Sequence, residues 1–206
     1  MITTCDNFTH EVDAIATSPS SISVLSQKPI TTLSGAIHHK SSWDFLHYHS
    51  TNLNRRKMKN IRKHLRKDNL VAASDGSAHE GNKGSFAFCF AKKNNGKILF
   101  QSHSPTLCDP ESIHSDRCEI CGLLGIVTTI ENVIASSNNP SSYHNKTITV
   151  WTDSETAISA ATTTIHHTTK TAFQNNIDVI LELQHQVRKN PIKFDFKWVK
   201  SHQDEE

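Results

Sequence analysis

Apolar and polar residues alternate in short blocks over residues 69–206, and their spacing predicts a mixed α/β domain. Two apolar runs on either side of Asn94-Asn95-Gly96 are typical of a β-hairpin, since Asn-Gly favours a tight turn between antiparallel strands. Strands are predicted over residues 70–74, 86–91, 97–100, 147–152 and 193–200. Apolar residues at helical spacing predict helices over residues 116–135, 154–163 and 171–189. The order of these elements predicts a mixed five-stranded sheet flanked by helices.

The N-terminal part of the chain has a different character. Residues 1–50 are rich in Ser, Thr and His without sustained periodicity, so they are predicted to be a flexible or linker-like region. Residues 51–68 are predicted to be a basic helical segment that precedes the α/β domain at 69–206. Its apolar residues form a thin stripe: Leu53, Met58, Ile61 and Leu65.

Positive charge is concentrated in the basic helical segment. The whole chain has a formal net charge of +2, whereas residues 55–67 carry eight Lys and Arg side chains and no acid. These residues are Arg55, Arg56, Lys57, Lys59, Arg62, Lys63, Arg66 and Lys67. Such a block is by default a solvated helix face or a localisation signal. Because Lys and Arg neutralise phosphates and release counterions, the block is also predicted to bind nucleic acid.

Other features of the composition restrict the class of protein. No apolar run approaches the roughly 20 residues that span a bilayer, and the first residues lack the features of a secretory signal. Five cysteines at irregular spacing do not form a disulfide framework. We therefore expect no membrane partner and an intracellular location, nuclear or cytoplasmic. Cys118 and Cys121 have a C-x-x-C spacing but no second pair, so packing is expected rather than zinc binding.

Three acidic residues occur where side chains of an α/β sheet converge. Asp75 and Asp153 are predicted at the carboxyl ends of two strands, and Glu119 lies in the first turn of the long predicted helix. Taken singly, each has an ordinary explanation, as a turn residue or a favourable charge at a helix N-terminus. Together, three acids repel one another unless a cation neutralises them. Carboxylate oxygens favour Mg²⁺ or Mn²⁺, and such a cluster is typical of two-metal phosphodiester hydrolysis.

Four consecutive segments, three of which contain these acids, resemble the motifs of ribonuclease H domains. They are SDGSAHEG at 74–81, SDRCEICGLL at 115–124, VWTDSE at 150–155 and WVKSHQDE at 198–205. Over about residues 69–206 the chain is most similar to the ribonuclease H-like domains of retroelement reverse transcriptases. The resemblance implies a ribonuclease H-like fold and cleavage of the RNA strand in RNA–DNA hybrids. It also implies Mg²⁺ as cofactor, Mn²⁺ as a substitute, and a linked reverse transcriptase domain.

The resemblance further implies roles for individual residues. Asp75, Glu119 and Asp153 match the family's first three metal-binding acids. His202 matches a mobile histidine that assists product release or proton transfer. Arg117 fits the family's pattern of an arginine two residues before the helical acid.

One element of the family pattern is not expected in this chain. The family has a fourth metal-binding Asp in a helix after the histidine segment, whereas this sequence ends four residues after His202. The C-terminal helix is therefore expected to be truncated, and the fourth ligand to be absent or replaced by Asp204 or Glu205. Two functions remain open: an active nuclease within a retroelement polyprotein, and a catalytically silent module that binds nucleic acid or serves as a scaffold.

Overall fold

A mixed sheet of five strands lies at the centre of the protein. The computed structural model describes residues 53–79, 83–106, 113–163 and 176–200. The strands are β1 (Leu70–His79), β2 (Lys83–Lys92), β3 (Ile98–Pro105), β4 (Thr147–Thr152) and β5 (Lys193–Trp198). The helices of this part are α1 (Arg55–Arg66), α2 (Ser115–Ala135), α3 (Glu155–Thr162) and α4 (Ile177–Lys189), with a 3-10 helix at Pro140–Tyr143. The strand order is β3-β2-β1-β4-β5, so β1 lies in the middle of the sheet.

The strand directions combine an antiparallel and a parallel half. β1, β2 and β3 form an antiparallel meander, whereas β4 runs parallel to β1 and β5 runs parallel to β4. The turn between β2 and β3 includes Gly96 at φ +66°, a backbone conformation that glycine adopts without strain. The hairpin predicted from Asn94-Asn95-Gly96 is therefore confirmed. The mixed five-stranded sheet with flanking helices is confirmed as well.

The first strand is longer than its sequence pattern indicates. The prediction that β1 ends at Ser74 is wrong, because β2 pairs with all ten residues of β1. The parallel pairing of β1 with β4 stops earlier, at Ala73 opposite Trp151. Asp75 therefore lies inside β1, not at its carboxyl end, but just beyond the last residue that pairs with β4. This position leaves the β4 side of Asp75 available to other groups.

The core lies between one face of the sheet and helix α2. All residues of α2 from Arg117 to Ile134 are buried. Four aromatic rings of β2 and β3 are buried with them: Phe86, Phe88, Phe90 and Phe100. By length and composition α2 could cross a membrane, which corrects the expectation that no apolar run is long enough, yet 94% of its most apolar stretch is buried inside the protein. Its composition therefore suits a core helix.

Helix α1 packs into the same core. Met58, Ile61 and Leu65 on one face are at most 3% exposed and join the buried cluster. The guanidinium group of Arg62 donates hydrogen bonds to the backbone oxygen of Ser136 at 2.9 Å and to its hydroxyl at 3.1 Å. These bonds satisfy a carbonyl group at the C-terminal end of α2, where positive charge is also favourable. α1 is thereby fixed to the sheet domain with its basic face outward.

The remaining differences between the sequence predictions and the structure are small. β2 and β3 extend beyond their predicted bounds, β5 ends at Trp198 rather than Lys200, and the 3-10 helix was not predicted. Cys118 and Cys121 are buried free thiols, which agrees with the packing interpretation. The region 1–50 lies outside the described residues, so its predicted character stays a prediction.

Candidate metal centre and nucleic-acid interface

The close approach of α2 to β1 depends on a glycine next to Asp75. A Cβ atom at Gly76 would lie 2.4 Å from the backbone nitrogen of Glu119, closer than real Cβ atoms approach other atoms. Because glycine leaves this space free, the start of α2 passes directly over β1. The backbone N–H of Gly76 then donates a 2.9 Å hydrogen bond to Oε1 of Glu119. Asp75-Gly76 thus brings a strand and a helix together instead of forming a turn.

Glu119 is the buried member of the site. Glu119 is 6% exposed, and its Oε2 is buried without a hydrogen-bond partner among the described residues. Burial raises the pKa of Glu119 to about 7, against the opposing effect of the Gly76 N–H bond. The negative charges of Asp153 and Asp75 contribute to this rise in pKa, although less than burial does. An isolated, unpartnered carboxylate oxygen in such a place is costly, so its position indicates a missing positive partner.

Asp153 is held in place through its backbone. It follows β4 directly, and Ser154 accepts the backbone N–H of Ala157 at 3.1 Å as the N-cap of α3. The indole N–H of Trp198 donates a 3.0 Å hydrogen bond to the backbone oxygen of Asp153. Contacts from β4, α3 and β5 therefore fix the point from which the Asp153 side chain starts.

The structure brings together the three acids that the sequence analysis nominated. One carboxylate oxygen from each of Asp75, Glu119 and Asp153 lies within 4.8 Å of the other two. Asp75 is exposed, Asp153 is half-buried and Glu119 is buried, so solvent reaches the cluster from one side. Oxygen ligands in such an accessible place suit Mg²⁺ or Mn²⁺, which bind through carboxylates and keep several waters. His202 lies outside the described residues, and its role stays a prediction.

Arg117 anchors the start of α2 near the cluster. Its guanidinium group is 7% exposed and donates two hydrogen bonds to the carboxylate of Asp178, at 2.9 and 2.7 Å. Partial burial by itself raises the pKa of Asp178, but the bonds and charge of Arg117 outweigh it, so the pKa lies below its usual range. The pair joins the first turns of α2 and α4, and it therefore restrains the helix that carries Glu119.

The basic residues of α1 divide into an outward set and an anchoring set. Arg62 is bonded to Ser136, and the Lys57 ammonium lies 5.5 Å from the centroid of the Phe100 ring. Six of the eight nominated residues are exposed: Arg55, Arg56, Lys59, Lys63, Arg66 and Lys67. Burial lowers the pKa of His64, and the nearby charges of Lys92, Lys63 and Lys67 lower it further. Lys92, the last residue of β2, thus adds a cation near the surface formed by α1.

Three contributors to the site were not recognised in the sequence. The sequence pattern indicates a turn at Gly76, although its role in the structure is to leave space for the backbone of α2. Asp178 is 61 positions from Arg117, and no local pattern links the two. The sequence pattern places Trp198 among the alternating aromatic residues of a strand, and it does not indicate the hydrogen bond to Asp153. One sequence signal pointed towards these contacts: Arg117, the partner of Asp178, lies in the same motif as Glu119.

Comparisons with known proteins give structural similarities only. No family model matches the chain, and no curated protein is similar to it. The N-terminal RNase H domain of rv2228c from Mycobacterium tuberculosis, solved as a fusion with maltose-binding protein, is 12% identical, with a TM-score of 0.45 over 65% of this chain and 84% of that one. RNase H1 from Halobacterium salinarum NRC-1 is 10% identical, with a TM-score of 0.45 over 64% and 86%.

LC11-RNase H1, solved in complex with an RNA/DNA hybrid, is 12% identical, with a TM-score of 0.45 over 64% of this chain and 86% of that one. All three are ribonuclease H proteins, the family that the four sequence motifs resemble. At this level of similarity they carry no information about the site, whose assignment rests on its own geometry.

Proposed function

We propose that this protein is a metal-dependent endonuclease that cleaves the RNA strand of RNA–DNA hybrids. The observation that carries the proposal is the convergence of Asp75, Glu119 and Asp153 within 4.8 Å, with one buried oxygen of Glu119 that has no hydrogen-bond partner in the part of the chain that the structure describes. Three carboxylates held together repel one another, so the folded site favours a bound cation. The order of the motifs around these acids, which resembles that of ribonuclease H domains, supports the substrate class.

Mg²⁺ is the proposed cation, with Mn²⁺ as a substitute. Asp75, Glu119 and Asp153 would hold it, because carboxylate oxygens are the ligands that these hard cations prefer. A divalent cation at such a site polarises phosphoryl oxygens and lowers the pKa of water that it coordinates.

The protein's own contribution is to hold the ligand oxygens in fixed places. Oε1 of Glu119 accepts the Gly76 N–H, which restrains the carboxylate and leaves Oε2 for a further partner. Asp153 is restrained through its backbone oxygen, and Asp75 is the exposed acid of the cluster. Groups that are fixed before the substrate binds need no reorganisation during the reaction, which favours catalysis.

Substrate binding is assigned to the outward face of α1 as well as to the acids. Its exposed Lys and Arg side chains would neutralise phosphates without reading base sequence. A hybrid would be distinguished from duplex DNA by contacts to 2′-hydroxyl groups. We further propose that the domain belongs to a retroelement polyprotein with a linked reverse transcriptase, that it acts in the nucleus or cytoplasm, and that His202 assists proton transfer or product release.

The competing proposal is a silent module that binds nucleic acid without cleaving it. One observation favours it: among the described residues, three acids form the cluster and no fourth joins them. The basic face of α1 would serve this function equally well, so binding experiments cannot separate the two proposals.

A cleavage assay separates them. An end-labelled RNA–DNA hybrid is incubated with the full chain in Mg²⁺, in Mn²⁺ and in EDTA. We expect endonucleolytic cuts in the RNA strand with either cation and none in EDTA. Asp75→Asn should abolish cleavage without lowering thermal stability, whereas Glu155→Gln, an exposed acid two residues after Asp153, should cleave like the wild type. Binding of the hybrid without any metal-dependent cleavage would support the silent module instead.

A further inference from the structure

Trp198 lies beside the three acids but is not one of their ligands. Its indole N–H donates a 3.0 Å hydrogen bond to the backbone oxygen of Asp153. The next residue, Val199, donates its backbone N–H to the oxygen of Thr152, also at 3.0 Å. These two bonds tie the end of β5 to the end of β4. The indole ring is therefore held in a defined position next to the cluster.

About half of this fixed ring faces solvent. Trp198 is 49% exposed, and Val199 beside it is 44% exposed. Trp151 is 41% exposed, but it pairs with Lys197, whereas Trp198 pairs with Thr152. Because successive side chains of a strand point to opposite faces, the two tryptophans lie on opposite faces of the sheet. The two tryptophans are similarly exposed, but Trp198 also donates a hydrogen bond to the backbone of Asp153, an acid of the cluster.

Exposure alone would not make Trp198 notable, since single exposed apolar residues are ordinary on protein surfaces. Its polar atom, however, is already bonded to Asp153, so the exposed part is an apolar ring face of fixed orientation. The bases of a hybrid are already paired and stacked inside the helix, but the sugars on its outside can pack on such a ring whatever the base sequence. Exposed Lys200 follows two residues later and adds a cation suited to phosphate.

We infer that Trp198 is a substrate-contacting residue that packs its indole against a nucleotide adjacent to the phosphate bound at the three acids. The inference rests on the proposed function, because it names a contact of the same nucleic acid at the same site. A fixed aromatic surface there sets the position of the strand relative to the acids without selecting base sequence. Trp198 neither binds the cation nor transfers a proton.

The test measures hybrid affinity and cation affinity separately. Binding of a fluorescently labelled RNA–DNA hybrid to the full chain is followed by anisotropy with Ca²⁺ in place of Mg²⁺, to limit cleavage. Trp198→Ala should raise Kd at least about 5-fold, the loss expected when an aromatic contact at an interface is removed. Trp198→Phe keeps a ring but lacks the N–H, and its Kd should rise by less than about 5-fold. Trp151→Ala, the matched control on the opposite face, should bind like the wild type.

Calorimetric titration with Mn²⁺ distinguishes a substrate contact from a structural support. Both Trp198 variants lose the bond to Asp153, so any weakening of Mn²⁺ binding should be equal in the two, whereas hybrid affinity should fall much further in Trp198→Ala than in Trp198→Phe. Equal loss of hybrid affinity in Trp198→Ala and Trp198→Phe would overturn the inference, because Trp198 would then act through its bond to Asp153 and not through its ring. Equal hybrid affinity of Trp198→Ala and Trp151→Ala would overturn it too, while leaving the proposed function intact. Failure of the wild type to bind any hybrid would refute the proposed function and this inference with it.

Discussion

Neutralising Glu119 should change how the stability of the protein depends on pH. Burial, together with Asp153 and Asp75, raises the pKa of Glu119 from 4.5 to about 7, despite the Gly76 N–H bond. Between these values the folded protein keeps a proton that the unfolded chain has released. The free energy of unfolding therefore falls as the pH rises through this window, and the stability present at low pH is lost near pH 7. At 1.36 kcal/mol for each pH unit between the two pKa values, the loss is about 3 kcal/mol.

Urea unfolding followed by circular dichroism, at pH 5 and pH 8 in EDTA, measures this effect. The wild type should lose about 2.5 kcal/mol more than Glu119→Gln between the two pH values, since part of the effect is already present at pH 5. The comparison uses the difference between pH values, because the buried amide of the variant shifts its stability equally at both. Glu155→Gln, which replaces an exposed acid, should behave like the wild type. Addition of Mg²⁺ at pH 8 should stabilise the wild type and not Glu119→Gln.

Parallel pH dependence of the free energy of unfolding in the wild type and Glu119→Gln would refute the raised pKa of Glu119. If the wild type and Glu119→Gln lose the same free energy between pH 5 and pH 8, Glu119 has no raised pKa in the folded protein. The buried carboxylate would then need no cation, and the main electrostatic support for the metal centre would disappear.

Other substitutions test the contacts around the site. Gly76→Ala should destabilise the protein by about 1–3 kcal/mol in urea unfolding, since its Cβ would press on the backbone of α2, and wild-type stability would contradict the close approach. Asp178→Asn should lower the free energy of unfolding by about 2 kcal/mol. This is less than the 3–5 kcal/mol of a fully buried ion pair, because Asp178 is half exposed. Unchanged stability would show that Arg117 needs no carboxylate partner. Replacing both Lys59 and Lys63 by Gln should reduce the slope of log K for hybrid binding against log salt concentration by about 2, since each is proposed to contact one phosphate. An unchanged slope would show that this face of α1 does not contact the hybrid.

Local patterns predicted the elements of the fold, whereas pairing between distant segments decided their limits. The hairpin at Asn94-Asn95-Gly96 was predictable because a turn of this kind is specified by its own residues. The length of β1 was not, because Asp75-Gly76-Ser77 reads as a turn and only pairing with β2 keeps it extended. The apolar stripe of α1 predicted a helix, but not that the helix docks on the end of α2.

The convergence of the acids was anticipated for a reason that is only partly right. The expectation placed Asp75 and Asp153 at neighbouring strand ends, and they do meet, although Asp75 lies inside β1. What brings Glu119 to them is the absence of a side chain at Gly76, which no pattern in the sequence shows. The Arg117–Asp178 pair joins residues 61 positions apart, and such contacts follow only from the assembled fold.

Asp75, Glu119 and Asp153 together are proposed to bind a divalent cation. Calorimetric titration of the full chain with Mn²⁺ at pH 7, repeated in two buffers with different heats of ionisation, tests this binding most directly. We expect binding by the wild type with release of a fraction of a proton, because Glu119 with a pKa of about 7 must ionise to bind the cation. We also expect much weaker binding by Asp75→Asn and no proton release from Glu119→Gln. Unchanged Mn²⁺ binding in both variants would show that these acids do not bind the cation.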